Sequence, residues 1–148
     1  MTPARSPDAR VQCAVTFFEQ LSPADLHRIG VLYAADARFK DPFNDVVGVT
    51  AITAVFEHMY HALESPRFVV LDIVANGDDC FLTWDFLFRF KRFSPQIDQR
   101  VRGATQIRFG ADGRIALHRD YWDAAEELYE KLPAVGVLMR WLKRRANT

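Results

Sequence analysis

The sequence predicts an α+β domain in which helices come first and an antiparallel sheet follows. Apolar residues recur at helical spacing through the first half, and from Phe68 onward the runs are short, β-rich and strand-like. Two Ser-Pro pairs, Ser6-Pro7 and Ser22-Pro23, read as helix starts, a cap followed by proline in the first turn. Two turn signals, Asn76-Gly77-Asp78-Asp79 and Gly110-Ala111-Asp112-Gly113, punctuate the second half.

Residues 1–6 read as a flexible tail. Val11, Ala14, Val15, Phe18 and Leu21 give a first helix, and Leu26, Ile29, Leu32 and Tyr33 a second. Ala37 to Pro42 reads as a short strand stopped by its proline. Gly48 and Thr50 open a third helix carrying Ile52, Val55, Phe56, Met59 and Leu63, which Pro66 closes. Four strands are then expected, over Phe68 to Ala75, Cys80 to Phe93, Gln99 to Phe109 and Ile115 to Trp122, with a loop at Ser94-Pro95. Asp123 and Glu126 have capping-box spacing before another helix. Beyond Pro133 an amphipathic helix with Leu138, Trp141 and Leu142 ends in Lys143-Arg144-Arg145, a basic end that favours the helix dipole. The division is a tail at 1–6, a domain at 7–130 and a helical extension at 131–148. Helices segregated to one face of a curved antiparallel sheet leave a cavity between layers, the default ligand site.

Composition limits the function classes. The chain has 148 residues, 49% of them hydrophobic, enough for one domain with a sizeable core. Net charge is zero, so no general field draws nucleic acid or an anionic surface. Twelve phenylalanines point to a bulky core, a large interface or an aromatic-walled pocket. Cys13 and Cys80 lack metal or redox spacing and read as buried free thiols in a reducing, cytoplasmic compartment. No apolar run suggests a signal peptide or a membrane span. There is no nucleophile elbow, no phosphate-binding glycine loop and no HExxH, so neither a cofactor nor a metal is expected.

Two segments resemble known motifs. Leu32-Tyr33-Ala34-Ala35-Asp36-Ala37-Arg38-Phe39-Lys40-Asp41-Pro42, followed by Gly48 and Ile52, is similar to the second helix, first strand and third-helix start of ketosteroid isomerases. Gly113-Arg114-Ile115 and Arg119-Asp120-Tyr121-Trp122-Asp123 resemble the last strand of limonene epoxide hydrolases and SnoaL-like polyketide cyclases. The resemblance spans about residues 10–130 and is to the nuclear transport factor 2-like superfamily. It implies a cone-shaped, cystatin-like α+β barrel, with a strongly curved antiparallel sheet wrapped over three N-terminal helices. It places Asp41 where the isomerases keep a proton-shuttling aspartate. Their hydrogen-bonding tyrosine and protonated acid correspond to Phe17 and Thr105, so that oxyanion hole is missing or rebuilt. Asp120 matches a pocket aspartate of the epoxide hydrolases. Their arginine and second aspartate correspond to Asp85 and Leu87, and their water-positioning tyrosine and asparagine to Phe39 and Asp41.

Strand parity completes the expectation. The resembled families place Thr83, Asp85, Leu87 and Arg89 inside the cone, leaving Trp84, Phe86, Phe88 and Phe90 on the outer face. An exposed aromatic stripe marks an interface, so a homodimer packed sheet against sheet is expected, or else cover by the tail helix. Ala116, His118 and Asp120 share the pocket face of the last strand. Asp41, Asp85, His118 and Asp120 are therefore the candidate catalytic set, as carboxylates gathered in an apolar cavity suit acid-base work. Phe17, Phe39, Phe43, Phe56, Tyr60, Thr105 and Trp122 are candidate ligand contacts, and His27, His58 and His61 candidate surface residues. Two functions stay open: an isomerase, cyclase or hydrolase acting on an apolar small molecule, or a non-catalytic binding or dimerisation module.

Overall fold

A computed structural model describes residues 2, 4–92 and 95–146. The expected strand end at Phe93 and the loop residue Ser94 lie outside the described residues, as do Met1, Pro3, Asn147 and Thr148.

Helix α1 (Ala9–Gln20) starts at Asp8, whose side chain accepts from the Arg10 amide, and buries Val11, Ala14, Val15 and Phe18. Cys13, on its opposite side, is exposed, contrary to the expectation, while Cys80 is buried. Burial pushes the Cys80 thiol up to about 11. Ser22 and Asp25 form a capping box, but it opens a 3-10 turn (Pro23–Arg28) that runs into a single α-turn, α2 (Ile29–Leu32). Tyr33 is not helical and instead begins strand β1 (Tyr33–Lys40). A three-residue strand β2 (Asp45–Val47), too short to be read from the sequence, pairs back on β1. Gly48, at φ 96°, then turns the chain into α3 (Val49–Ala62), a left-handed conformation that glycine adopts without a Cβ penalty.

Strands β3 (Leu63–Asn76), β4 (Asp79–Phe90), β5 (Gln99–Phe109) and β6 (Ile115–Tyr121) form the expected meander. Pro66 lies inside β3 rather than ending a helix. β3 is an edge strand and its register shifts between Glu64 and Arg67, the kind of position where a missing N–H is tolerated. The six strands run in the order β2-β1-β6-β5-β4-β3. β1 runs parallel to β6, so the sheet is mixed rather than wholly antiparallel. Neither is it a closed barrel or strongly curled.

The inner face packs on α1 and α3. Leu82, Trp84 and Phe88 are buried there with Val101 and Ile107 of β5. This reverses the expected parity of β4: its aromatic set points inward and Asp85 points outward. The argument for subunit pairing through an exposed aromatic stripe loses its premise. The outer face carries ion pairs instead, Asp85–Arg100 at 3.0 Å and Asp79–Arg108 at 2.8 Å.

Asp123 caps α4 (Ala124–Glu127), accepting from the Glu126 amide at 3.1 Å. A 3-10 turn (Tyr129–Lys131) leads to α5 (Pro133–Ala146). Lys143 reaches Glu126 and Glu130, and Arg140 donates to the Glu130 carbonyl at 2.6 Å, so the basic side of α5 faces the domain. Its apolar residues Val137, Leu138, Trp141 and Leu142 are exposed, and the helix does not cover the β4 aromatics. No helix among the described residues is long and apolar enough to cross a membrane.

Candidate active site

A cavity of about 310 Å³ opens between the sheet and α3. Its walls are apolar: Phe56 and Met59 from α3, Phe68 and Val70 from β3, and Leu82, Trp84, Phe86, Phe88 and Phe90 from β4. At one end stand Thr105, His118 and Asp120, with Asp41, Phe43 and Trp122 beside them. The parallel pairing of β1 with β6 creates this end, because Phe39 and Lys40 lie opposite His118 and Arg119, and Asp41 follows next to Asp120.

The polar end is one continuous hydrogen-bond chain. Trp84 Nε1 donates to Thr105 Oγ1 at 2.7 Å, and Thr105 Oγ1 donates to Asp120 Oδ1 at 2.6 Å. An indole N–H can only donate, so it fixes the direction of the threonine hydroxyl. From the other side, Tyr33 Oη and His118 Nδ1 are 2.7 Å apart, as are His118 Nε2 and Asp120 Oδ1. Tyr33 is completely buried, and burial together with the Asp120 charge raises its phenol well above the ordinary tyrosine range. It keeps its proton. The Asp120 carboxylate can only accept, so His118 Nε2 carries a hydrogen and donates to it, and in the neutral ring Nδ1 accepts from the Tyr33 hydroxyl. Two donor relays converge on Oδ1, and Asp120 Oδ2 has no hydrogen-bond partner among the described residues.

Aromatic rings hold this chain in place. The His118 ring lies 4.6 Å from that of Phe39 and 5.4 Å from that of Phe18, centroid to centroid. Gly103 lies opposite Trp84 on β5, where any Cβ would overlap the indole. Only glycine leaves the ring room to reach Thr105.

Of the expected catalytic set, the fold brings together Asp41, His118 and Asp120. Asp85 is excluded, since alternation along β4 puts it on the opposite face from Trp84. There its Oδ2 pairs with Arg100, while its Oδ1 is buried without a hydrogen-bond partner. Asp41 does line the cavity, but its Oδ1 accepts from the amides of Phe43 (2.8 Å) and Asn44 (2.7 Å), closing a turn. Phe39, Phe56, Thr105 and Trp122 line the cavity as expected. Phe17 does not, because the next helical position turns about 100° and gives the wall to Phe18. Tyr60 is likewise absent from the wall, which α3 builds from Val55, Phe56, His58, Met59 and Ala62, so His58 reaches the rim. Tyr60 is half-buried beside α3, and burial pushes its phenol up to about 12. Tyr33 and Trp84 were missed by sequence reasoning. Inward packing of the aromatic set on β4 was the available signal for Trp84. Among the described residues no cluster of three or more His, Cys, Asp or Glu is placed to hold a metal ion.

Fold and site together define a small α+β domain with a largely apolar cavity whose polar end holds the carboxylates of Asp41 and Asp120. A family model for the SnoaL-like domain matches residues 14–118, and the chain belongs to that family. It is similar in fold to a Catenulispora acidiphila protein with a ketosteroid isomerase-like fold, solved in complex with trimethylamine (TM-score 0.70, 18% identity, covering 84% of this chain and 92% of that one). It is also similar to a SnoaL-like polyketide cyclase from Shewanella putrefaciens (TM-score 0.67, 19% identity, 82% and 86% covered). A third similar structure is an LEH-like epoxide hydrolase of M. tuberculosis (TM-score 0.66, 16% identity, 80% and 85% covered). No curated protein matches the chain.

Proposed function

We propose that this SnoaL-like domain binds a small apolar molecule in the cavity and moves a proton on it, as an isomerase, cyclase or hydrolase does. The observation that carries this reading is the convergence of two donor relays on Asp120 Oδ1, which leaves Oδ2 as the open acceptor. Asp120 is the catalytic residue. Its Oδ2 takes a proton from the substrate or from a bound water, holds it, and returns it at a second position. His118, Thr105, Tyr33 and Trp84 are positioning residues that fix the carboxylate plane, so the proton meets a preset acceptor. Asp41, tied into its turn, offers a second polar contact at the same end.

Asp120→Asn tests the assignment. The amide oxygen can take the place of Oδ1, and the amide nitrogen replaces the open acceptor by a donor. Across a panel of cyclic ketones, epoxides and β-dicarbonyl compounds, any turnover found with the native chain should fall by about 10²–10⁴-fold in this variant. Undiminished turnover would remove Asp120 from its role.

A second reading is a non-catalytic binding or dimerisation module. It is favoured by one specific feature: the four donors of the relay are all used internally, so none is left to stabilise a developing oxyanion. Saturable binding with no product from any member of the panel would establish it.

A further inference from the structure

We infer that the cavity selects a lipophilic amine in its protonated form. The inference rests on the reading of the cavity as a ligand site and deepens it to a ligand class.

The relay sorts possible ligand groups by hydrogen-bond polarity. Trp84, Thr105, His118 and Tyr33 spend their donors on one another and on Asp120 Oδ1, so Asp120 Oδ2 is an open acceptor that none of these four donors answers. A ketone or carboxylate oxygen brought there meets another acceptor, which is repulsive, and a desolvated carboxylate would also carry an unpaired charge. A group bearing hydrogens is accepted.

Charge narrows the class further. The described lining residues include two carboxylates, Asp41 and Asp120, and no lysine or arginine. The neighbouring cations Lys40 and Arg119 alternate away from the apolar cavity and border a second, more open hollow that shares Asp41, Asp120 and Trp122 with it. Lys40 lies 3.7 Å from Asp45, and the Arg119 guanidinium sits 4.7 Å from the centre of the Tyr121 ring. Asp120 shares its Oδ1 with the His118 ring and pairs with no lysine or arginine among the described residues, so a cationic ligand at Oδ2 would add a full charge partner. The rings beside it suit the same charge. Phe43 and Trp122 meet edge to face at 5.6 Å, and Phe43 and Tyr129 at 6.3 Å, so several π-surfaces border the Asp41–Asp120 end. Aromatic faces attract ammonium groups and give a carboxylate nothing. The apolar walls take the hydrocarbon body.

Three compounds of matched shape separate the possibilities at neutral pH: N,N-dimethylcyclohexylamine, cyclohexanol and cyclohexanecarboxylate. Binding to the full chain is read by calorimetry and by the fluorescence of Trp84 and Trp122. The amine should bind about tenfold or more tightly than the alcohol, and the carboxylate least of all. Asp120→Asn should weaken the amine by about tenfold or more and the alcohol, which loses only a neutral hydrogen bond, by much less. Phe43→Leu, at an exposed position, should weaken the amine by about threefold and the alcohol by clearly less, which keeps the test independent of any folding defect at Asp120. Equal affinities for amine and alcohol, or an amine affinity indifferent to both variants, would overturn the inference while leaving the cavity reading intact. Failure of all three compounds to bind would sink the cavity reading with it.

Discussion

The two faces of the sheet treat a carboxylate in opposite ways. On the inner face Asp120 is tied through one oxygen to two donors, the Thr105 hydroxyl and the His118 ring, and its other oxygen has no hydrogen-bond partner among the described residues. On the outer face Asp85 has a full cation beside it in Arg100, at 3.0 Å, and yet its Oδ1 is buried without a partner. The first is an ordered arrangement with one acceptor oxygen left open. The second is a surface ion pair with a residual desolvation cost. The difference is that a relay of hydrogen bonds fixes direction, whereas a surface ion pair fixes only proximity.

Trp84→Ala strikes the inner face hardest, because it removes a wall of the cavity and the first donor of the relay together. The expected loss is about 3 kcal/mol in urea unfolding, the low end for a large core aromatic, since the ring already borders empty space. Thr105→Val keeps the shape but cuts the relay at its middle. It strands the Trp84 N–H and takes one donor from Asp120, at about 1–3 kcal/mol in the same measurement. A stability loss there well under 1 kcal/mol would show that water replaces the hydroxyl and that the relay is not a rigid unit. Asp85→Ala should change stability by less than about 1 kcal/mol, and could even raise it, because removal of the orphaned oxygen offsets the lost ion pair. A large destabilisation would erase the contrast between the faces.

The same contrast explains what the sequence made legible. Turn chemistry located the meander well: β5 begins and ends at the expected Gln99 and Phe109, and the Asn76-Gly77 and Gly110–Gly113 turns join the expected strands. His118 and Asp120 were reachable because alternation holds over the part of β6 that follows its register shift at Ile115–Leu117, and Thr105 through the family resemblance. β4 went wrong because parity borrowed from a distant resemblance was allowed to outrank the hydrophobic rule, under which Trp84, Phe86 and Phe88 belong inside. Tyr33 was hidden by a different cause. Its helical spacing from Ile29 is genuine, but the single turn of α2 ends at Leu32, and long-range pairing with β6 takes over. Local periodicity carries no information about a partner strand so far along the chain.

That distance sets an order of assembly. Tyr33 and His118 are 85 positions apart in sequence, whereas each hairpin from β3 to β6 joins neighbours. Closing so long a loop costs entropy that only finished packing returns, so the β1–β6 seam is expected to form after the hairpins have zipped. The polar end of the cavity would then be absent from every partly folded state that lacks the seam, and the bond between Tyr33 and His118 would close only in the last step of becoming native.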